Sequence, residues 1–97
     1  MKVERTGPDC RIQIIDDPIF RGFDFSRGVL DSVLEGDQRI ILDLSLVATL
    51  HSPGLANLVA IHVNLQKRGK ELILTGLNEN NVRLLRATNL DKLLTVE

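Results

Sequence analysis

Few groups in this chain could do chemistry, and one serine is the best placed of them. Ser52 follows His51 and precedes Pro53 and Gly54. Ser-Pro is a favoured pair at a helix entrance. The hydroxyl can accept from a first-turn amide, and proline loses nothing where its N–H would go unpaired. Gly54 has no side chain, so another backbone or a phosphate could approach the first turn closely. First-turn amides and the helix dipole together favour an anion there. Ser52 is therefore expected to cap the helix, at a place where a phosphate is well tolerated.

A nucleophilic serine would need a base and an acid. His51 is adjacent in sequence and Asp43 lies at a strand end. Sequence neighbours at a helix cap point apart, so the residues argue against a triad. Asp43 reads instead as a strand-end carboxylate held by loop amides. His62 falls in mid-helix on an apolar arc and is expected to be a hydrogen-bonded core histidine. No His-x-x-x-His or Cys-x-x-Cys spacing offers a metal site, and no glycine-rich nucleotide loop occurs. Neither metal nor cofactor is expected. Cys10 is the one cysteine; in a strand-like run it reads as a buried, reduced core thiol.

At 97 residues the chain suits one domain, residues 1–97, with one core. A net charge of -1, from 12 basic and 13 acidic side chains, offers no surface for a polyanion. Three phenylalanines without Tyr or Trp offer no platform for stacked bases. Direct nucleic-acid binding is not expected. Met1-Lys2 is not followed by an apolar signal region, and no apolar run approaches the ~18 residues of a spanning helix. The expected location is the cytoplasm, without membrane insertion.

The elements that must position Ser52 follow from periodicity. Val3 to Arg5 and Cys10 to Ile15 read as strands around the turn Thr6-Gly7-Pro8-Asp9, with Asp16-Asp17-Pro18 as a break. Phe25, Val29, Leu30, Val33 and Leu34 recur at helical spacing up to Glu35, with Gly36 as the stop and Asp24 as a possible cap. Ile40 to Leu44 is a nearly continuous apolar run, which suits a strand covered on both faces. The Ser52 helix should run from Pro53 to about Arg68 and stop at Gly69. Leu55, Leu58, Val59 and Leu65 can face a sheet, while Ala56, Ala60, Ile61 and Val63 spread around the helix and are available to a partner. Glu71 to Thr75 is a third core strand. Asn78 can cap a helix with Val82, Leu84 and Leu85 inward, Asn89 can be its left-handed end, and Leu93 to Val96 a last strand. The order β-β-α-β-α-β-α-β predicts an α/β fold with a mostly parallel sheet of four to five strands.

These residues resemble the STAS domain family, the anti-sigma factor antagonists of bacteria, over nearly the whole chain. The resemblance is clearest in Ile41-Leu42-Asp43-Leu44, then Val47, then Leu50-His51-Ser52-Pro53-Gly54-Leu55. The family loop there reads Asp-Ser-Ser-Gly or Asp-Ser/Thr-x-Gly after an apolar residue. Lys67-Arg68-Gly69-Lys70-Glu71-Leu72 resembles the family's helix end and next strand. Leu84-Leu85 through Asn89-Leu90, ending in Leu93-Leu94-Thr95-Val96, resembles its third helix and last strand. His51 stands where the family has an acidic residue, and Pro53 replaces a residue that is often a serine. Asp16-Asp17-Pro18-Ile19 takes the place of a Gly-Glu-Leu-Asp turn.

The resemblance implies a regulator of transcription without catalytic activity. Family members bind an anti-sigma factor, often itself a serine kinase, while the loop serine is unmodified. Phosphorylation of that serine breaks the complex, and a phosphatase restores it. Ser52 aligns with the phosphoacceptor, and the implied partner surface around it comprises His51, Pro53, Gly54, Asn57 and Ile61. A phosphate would add roughly two negative charges in the middle of that surface. The alternative is a STAS scaffold subunit that binds a transport ATPase or a stress-signalling complex constitutively. It would use the same helix, with Ser52 as a cap alone.

Overall fold

The computed structural model describes residues 2–15 and 26–97. The break at Asp16-Asp17-Pro18, the departure that continues to Ile19 and the candidate cap Asp24 lie outside the described residues. Strands β1 (Lys2–Thr6) and β2 (Asp9–Ile15) pair antiparallel around a turn in which Gly7 takes a φ of 60°. Helix α1 (Ser26–Ser32), strand β3 (Arg39–Leu46), helix α2 (Ser52–Lys67) and strand β4 (Glu71–Thr75) follow. Helix α3 (Glu79–Ala87), a 3-10 turn at Leu90–Lys92 and strand β5 (Thr95–Val96) complete the order. It is the β-β-α-β-α-β-α-β order that periodicity predicted.

The five strands lie in the sheet in their sequence order, and every pairing after the first is parallel. Parallel crossovers are right-handed, so crossovers that all step the same way lay their helices on one face. One core results. Ile12 from β2, Leu42 and Leu44 from β3 and Leu74 from β4 meet Val29 of α1, Leu58, Ile61 and Leu65 of α2, and Leu85 of α3.

The far face corrects the expectation for β3. Along that strand Ile40, Leu42 and Leu44 are buried in the core, whereas Ile41 is half-buried on the far face. Ile41 lies in register between Arg11 and Ile73, in a row flanked by polar side chains such as Gln13, Asp43 and Thr75. The strand alternates although its letters do not.

Two ends also differ from the pattern reading, because other partners, remote for one and local for the other, take the backbone groups that would have continued the element. Helix α1 stops at Ser32 rather than Glu35. Arg5 donates to the Ser32 carbonyl, Asp37 Oδ2 accepts from the Leu34 amide at 2.8 Å, and Lys70 Nζ donates to the carbonyls of Leu34, Glu35 and Asp37. Strand β5 starts at Thr95 rather than Leu93. The amides of Leu93 and Leu94 both donate to the Leu90 carbonyl, which closes the 3-10 turn and makes them unavailable to β4. Asn89 does take the left-handed conformation, with φ 61°.

Candidate functional site at the mouth of helix α2

The loop between β3 and α2 begins inside the core. Val47 and Leu50 are both buried there, which fixes the loop by its side chains. Its main chain is held from α3. Asn81 is fully buried; its Oδ1 accepts from the Leu50 amide at 2.8 Å and its Nδ2 donates to the Val47 carbonyl at 3.1 Å. Asn78 caps α3, as its sequence position predicted, by accepting from the Asn81 amide at 2.8 Å. The other end of the Asn78 side chain donates to the Ala48 carbonyl at 2.8 Å.

From this fixed loop the helix opens one residue earlier than expected. His51, with φ -89° and ψ 171°, is the N-cap, and Ser52 is already helical. The His51 carbonyl accepts from the Leu55 amide at 3.0 Å. Ser52 is therefore not the cap. Proline fits the first turn either way, because no N–H there has an intrahelical partner, so Ser-Pro does not fix which residue is the cap. The Ser52 side chain is exposed and has no hydrogen-bond partner among the described residues.

The other expected contact residues divide. His51 and Pro53 are exposed beside Ser52. Gly54 is buried, yet a Cβ there would meet only Leu50 Cδ2 at an ordinary 3.5 Å. Asn57 is 8% exposed: its Nδ2 donates to the Pro53 carbonyl at 2.7 Å and its Oδ1 accepts from the Ser26 amide at 3.2 Å. It ties the first turn of α2 to the start of α1. Ile61 is 0% exposed and belongs to the core, which corrects its assignment to a partner surface. The helix rotates it onto the face of Leu58 and Leu65. The outward apolar residues are Ala56 and Val63, with Val59 and Ala60 half-buried. Ser52, Ala56, Ala60 and Val63 succeed each other at helical spacing and form one stripe. Leu46, 53% exposed at the end of β3, is a further apolar residue at this end of the sheet that periodicity did not single out.

The remaining candidates are structural. Asp43 Oδ1 accepts from the Ser45 amide at 3.0 Å, and its Oδ2 faces Arg11 at 3.4 Å. The Ser45 amide first, then the Ser45 side chain and after it Arg11, hold the Asp43 carboxyl below its ordinary range, against burial. Gly76, at φ 75°, lies so close that a Cβ would sit 2.8 Å from Asp43 Oδ1. His62 corrects another expectation: it is half-buried, and its buried Nε2 has no hydrogen-bond partner among the described residues. Cys10 is fully buried beside Asp37, and burial first, then the Asp37 charge, raises its thiol pKa. Such a thiol is inert. Among the described residues no group of three or more His, Cys, Asp or Glu could hold a metal, and no helix is long and apolar enough to cross a membrane.

A family model for the STAS domain matches residues 3–97. The chain belongs to the STAS domain family. Two solved structures of one Thermotoga maritima protein, TM1081, resemble this STAS domain. Its NMR structure is 25% identical with a TM-score of 0.84, covering 98% of this chain and 78% of that one. Its crystal structure, described as that of a candidate anti-sigma factor antagonist, is 25% identical with a TM-score of 0.81, covering 98% of this chain and 83% of that one.

Proposed function

We propose that this STAS domain is a non-catalytic regulator of the anti-sigma factor antagonist kind. It binds an anti-sigma factor with serine kinase activity in a bacterial cytoplasm and is released when Ser52 is phosphorylated. One observation carries the reading: Ser52 is exposed in the first turn of α2, has no capping duty, and heads the stripe of Ala56, Ala60 and Val63. A phosphate there meets first-turn amides and the positive end of the dipole, so the fold tolerates it. The same roughly two negative charges at the head of an apolar stripe oppose docking. His51 and Pro53 flank the serine and complete the contact surface, with Gly54 beneath.

Intact-mass analysis of protein from its own cells, with phosphatases inhibited, followed by partner capture with Ser52→Asp, tests this. A phosphate mapped to Ser52 and at least ~10-fold weaker binding by Ser52→Asp are expected. Full binding by Ser52→Asp would remove the switch. The apolar stripe alone supports a second reading, a constitutive scaffold subunit of a larger assembly. That reading expects Ser52→Ala and Ser52→Asp to bind alike and Val63→Asp to lose the partner.

A further inference from the structure

We propose that Asn81 is a positioning residue for the Ser52 site, setting from α3 the conformation in which the β3–α2 loop presents that serine. The proposal rests on the reading of Ser52 as the contact and modification point. Asn81 is fully buried on the core side of α3, one turn before Leu85. Its amide faces one donor and one acceptor of the same loop, the Leu50 N–H at 2.8 Å and the Val47 carbonyl at 3.1 Å. The amide supplies an acceptor and a donor on separate atoms, so aspartate of similar size leaves the Val47 carbonyl unpaired and leucine leaves both main-chain groups unpaired.

The contact is not diffuse. Asn78 holds the Ala48 carbonyl from the same turn of α3, so two side chains grip three main-chain groups between Val47 and Leu50. The buried Val47 and Leu50 side chains fix the loop towards the core. His51 follows directly as the cap of α2, and Ser52 is the first helical residue. A loop that shifts against α3 therefore moves the cap and the serine with it. Asn57 secures the first turn from the other side, through Pro53 and Ser26.

The test needs no partner. Asn81→Asp and Asn81→Leu are compared with wild type by amide exchange and backbone chemical shifts in the isolated protein. In Asn81→Leu, exchange at the Leu50 amide is expected to rise about ten-fold or more relative to Ile73 in β4, as befits loss of one buried hydrogen bond, whereas Asn81→Asp keeps an acceptor for that amide and loses only the donor to the Val47 carbonyl. The amide shifts of His51, Ser52 and Gly54 should move with it. Uniform acceleration at Leu50 and Ile73, with the shifts of His51 to Gly54 unchanged, would overturn the proposal and leave Asn81 a stabilising residue only. Should both variants fail to fold, the milder Asn81→Ser decides. Its hydroxyl is too short to hold Leu50 and Val47 together, and the shifts at His51 to Gly54 should still move. No movement there overturns the proposal. Phosphate uptake by wild-type Ser52 is scored separately: its absence removes the functional reading, while the clamp stands or falls on exchange and shifts.

Discussion

A hydroxyl at the first helical position can be lost without unpairing anything, because the cap of α2 is the backbone geometry of His51 rather than the Ser52 side chain. Ser52→Ala should change stability by no more than about 0.5 kcal/mol, the range of an exposed site with no special contact. Ser52→Asp should be neutral or stabilising by about 0.3–1 kcal/mol, from a negative charge at the positive end of the helix. Urea unfolding of both variants checks this, and a loss near 1 kcal/mol in Ser52→Ala would restore the serine as a cap. The sequence marked Ser52 by its type and its neighbours, but Ser-Pro fits a cap followed by the first residue or the first residue followed by the second. Asn81 was invisible for a different reason. A polar letter on a helix reads as an outward residue, and only the loop lying against it shows why an amide is buried.

Between α1 and β3, the chain is held by side chains from distant strands. Asp37 accepts from Arg5 Nε at 3.2 Å and from the Leu34 amide at 2.8 Å. Lys70, just before β4, donates to carbonyls of the same connection. Burial pushes the Asp37 carboxyl up, but the Leu34 amide, Arg5 and the Cys10 thiol together hold it below its ordinary range. Its folded pKa is thus depressed, as is that of Asp43. Both contribute stability that is present above the unfolded carboxyl value and is lost as pH falls through the folded one. Stability should fall below about pH 4. Asp37→Asn should be less stable at neutral pH and should shallow that acid limb, as read from urea midpoints against pH; an unchanged slope would show that the limb belongs to other carboxylates. The helix end at Ser32 could not be read locally. Val33 and Leu34 continue the helical spacing, and it is Arg5, Asp37 and Lys70, all remote in sequence from α1 or beyond its end, that draw the chain off.

At the scale of the molecule, strand–helix alternation made the fold and its order legible. What it hid was which side each apolar residue takes. Ile40-Ile41-Leu42 reads as one apolar block, yet Ile41 and Ile73 sit on the far face because α1, α2 and α3 lie on the other. On α2, apolar residues on several sides made Ile61 and Val63 equivalent by letter, and only the angle of the helix against the sheet separates them. Ile61→Asp should therefore unfold the domain, with a loss of about 4 kcal/mol or more, while Val63→Asp should fold with a near-native circular dichroism spectrum and melting temperature. A native melt from Ile61→Asp would place that residue outside the core.

A sheet whose spatial order equals its sequence order has a bearing on how it is made. No strand has to be threaded between two that have already paired, so each β–α unit leaving the ribosome can settle on an edge that is waiting for it. Once Gly69 has emerged, β1, β2 and β3 can already be joined, with α1 and α2 laid over them and the margin of β3 open to receive β4. The Ser52 loop is then present, but the helix that grips it is still to be synthesised. In a nascent chain, then, the platform precedes the clamp. Stalled chains released at Gly69 and at Glu97 should differ in protease sensitivity at the Val47–His51 loop far more than in the strands beneath it.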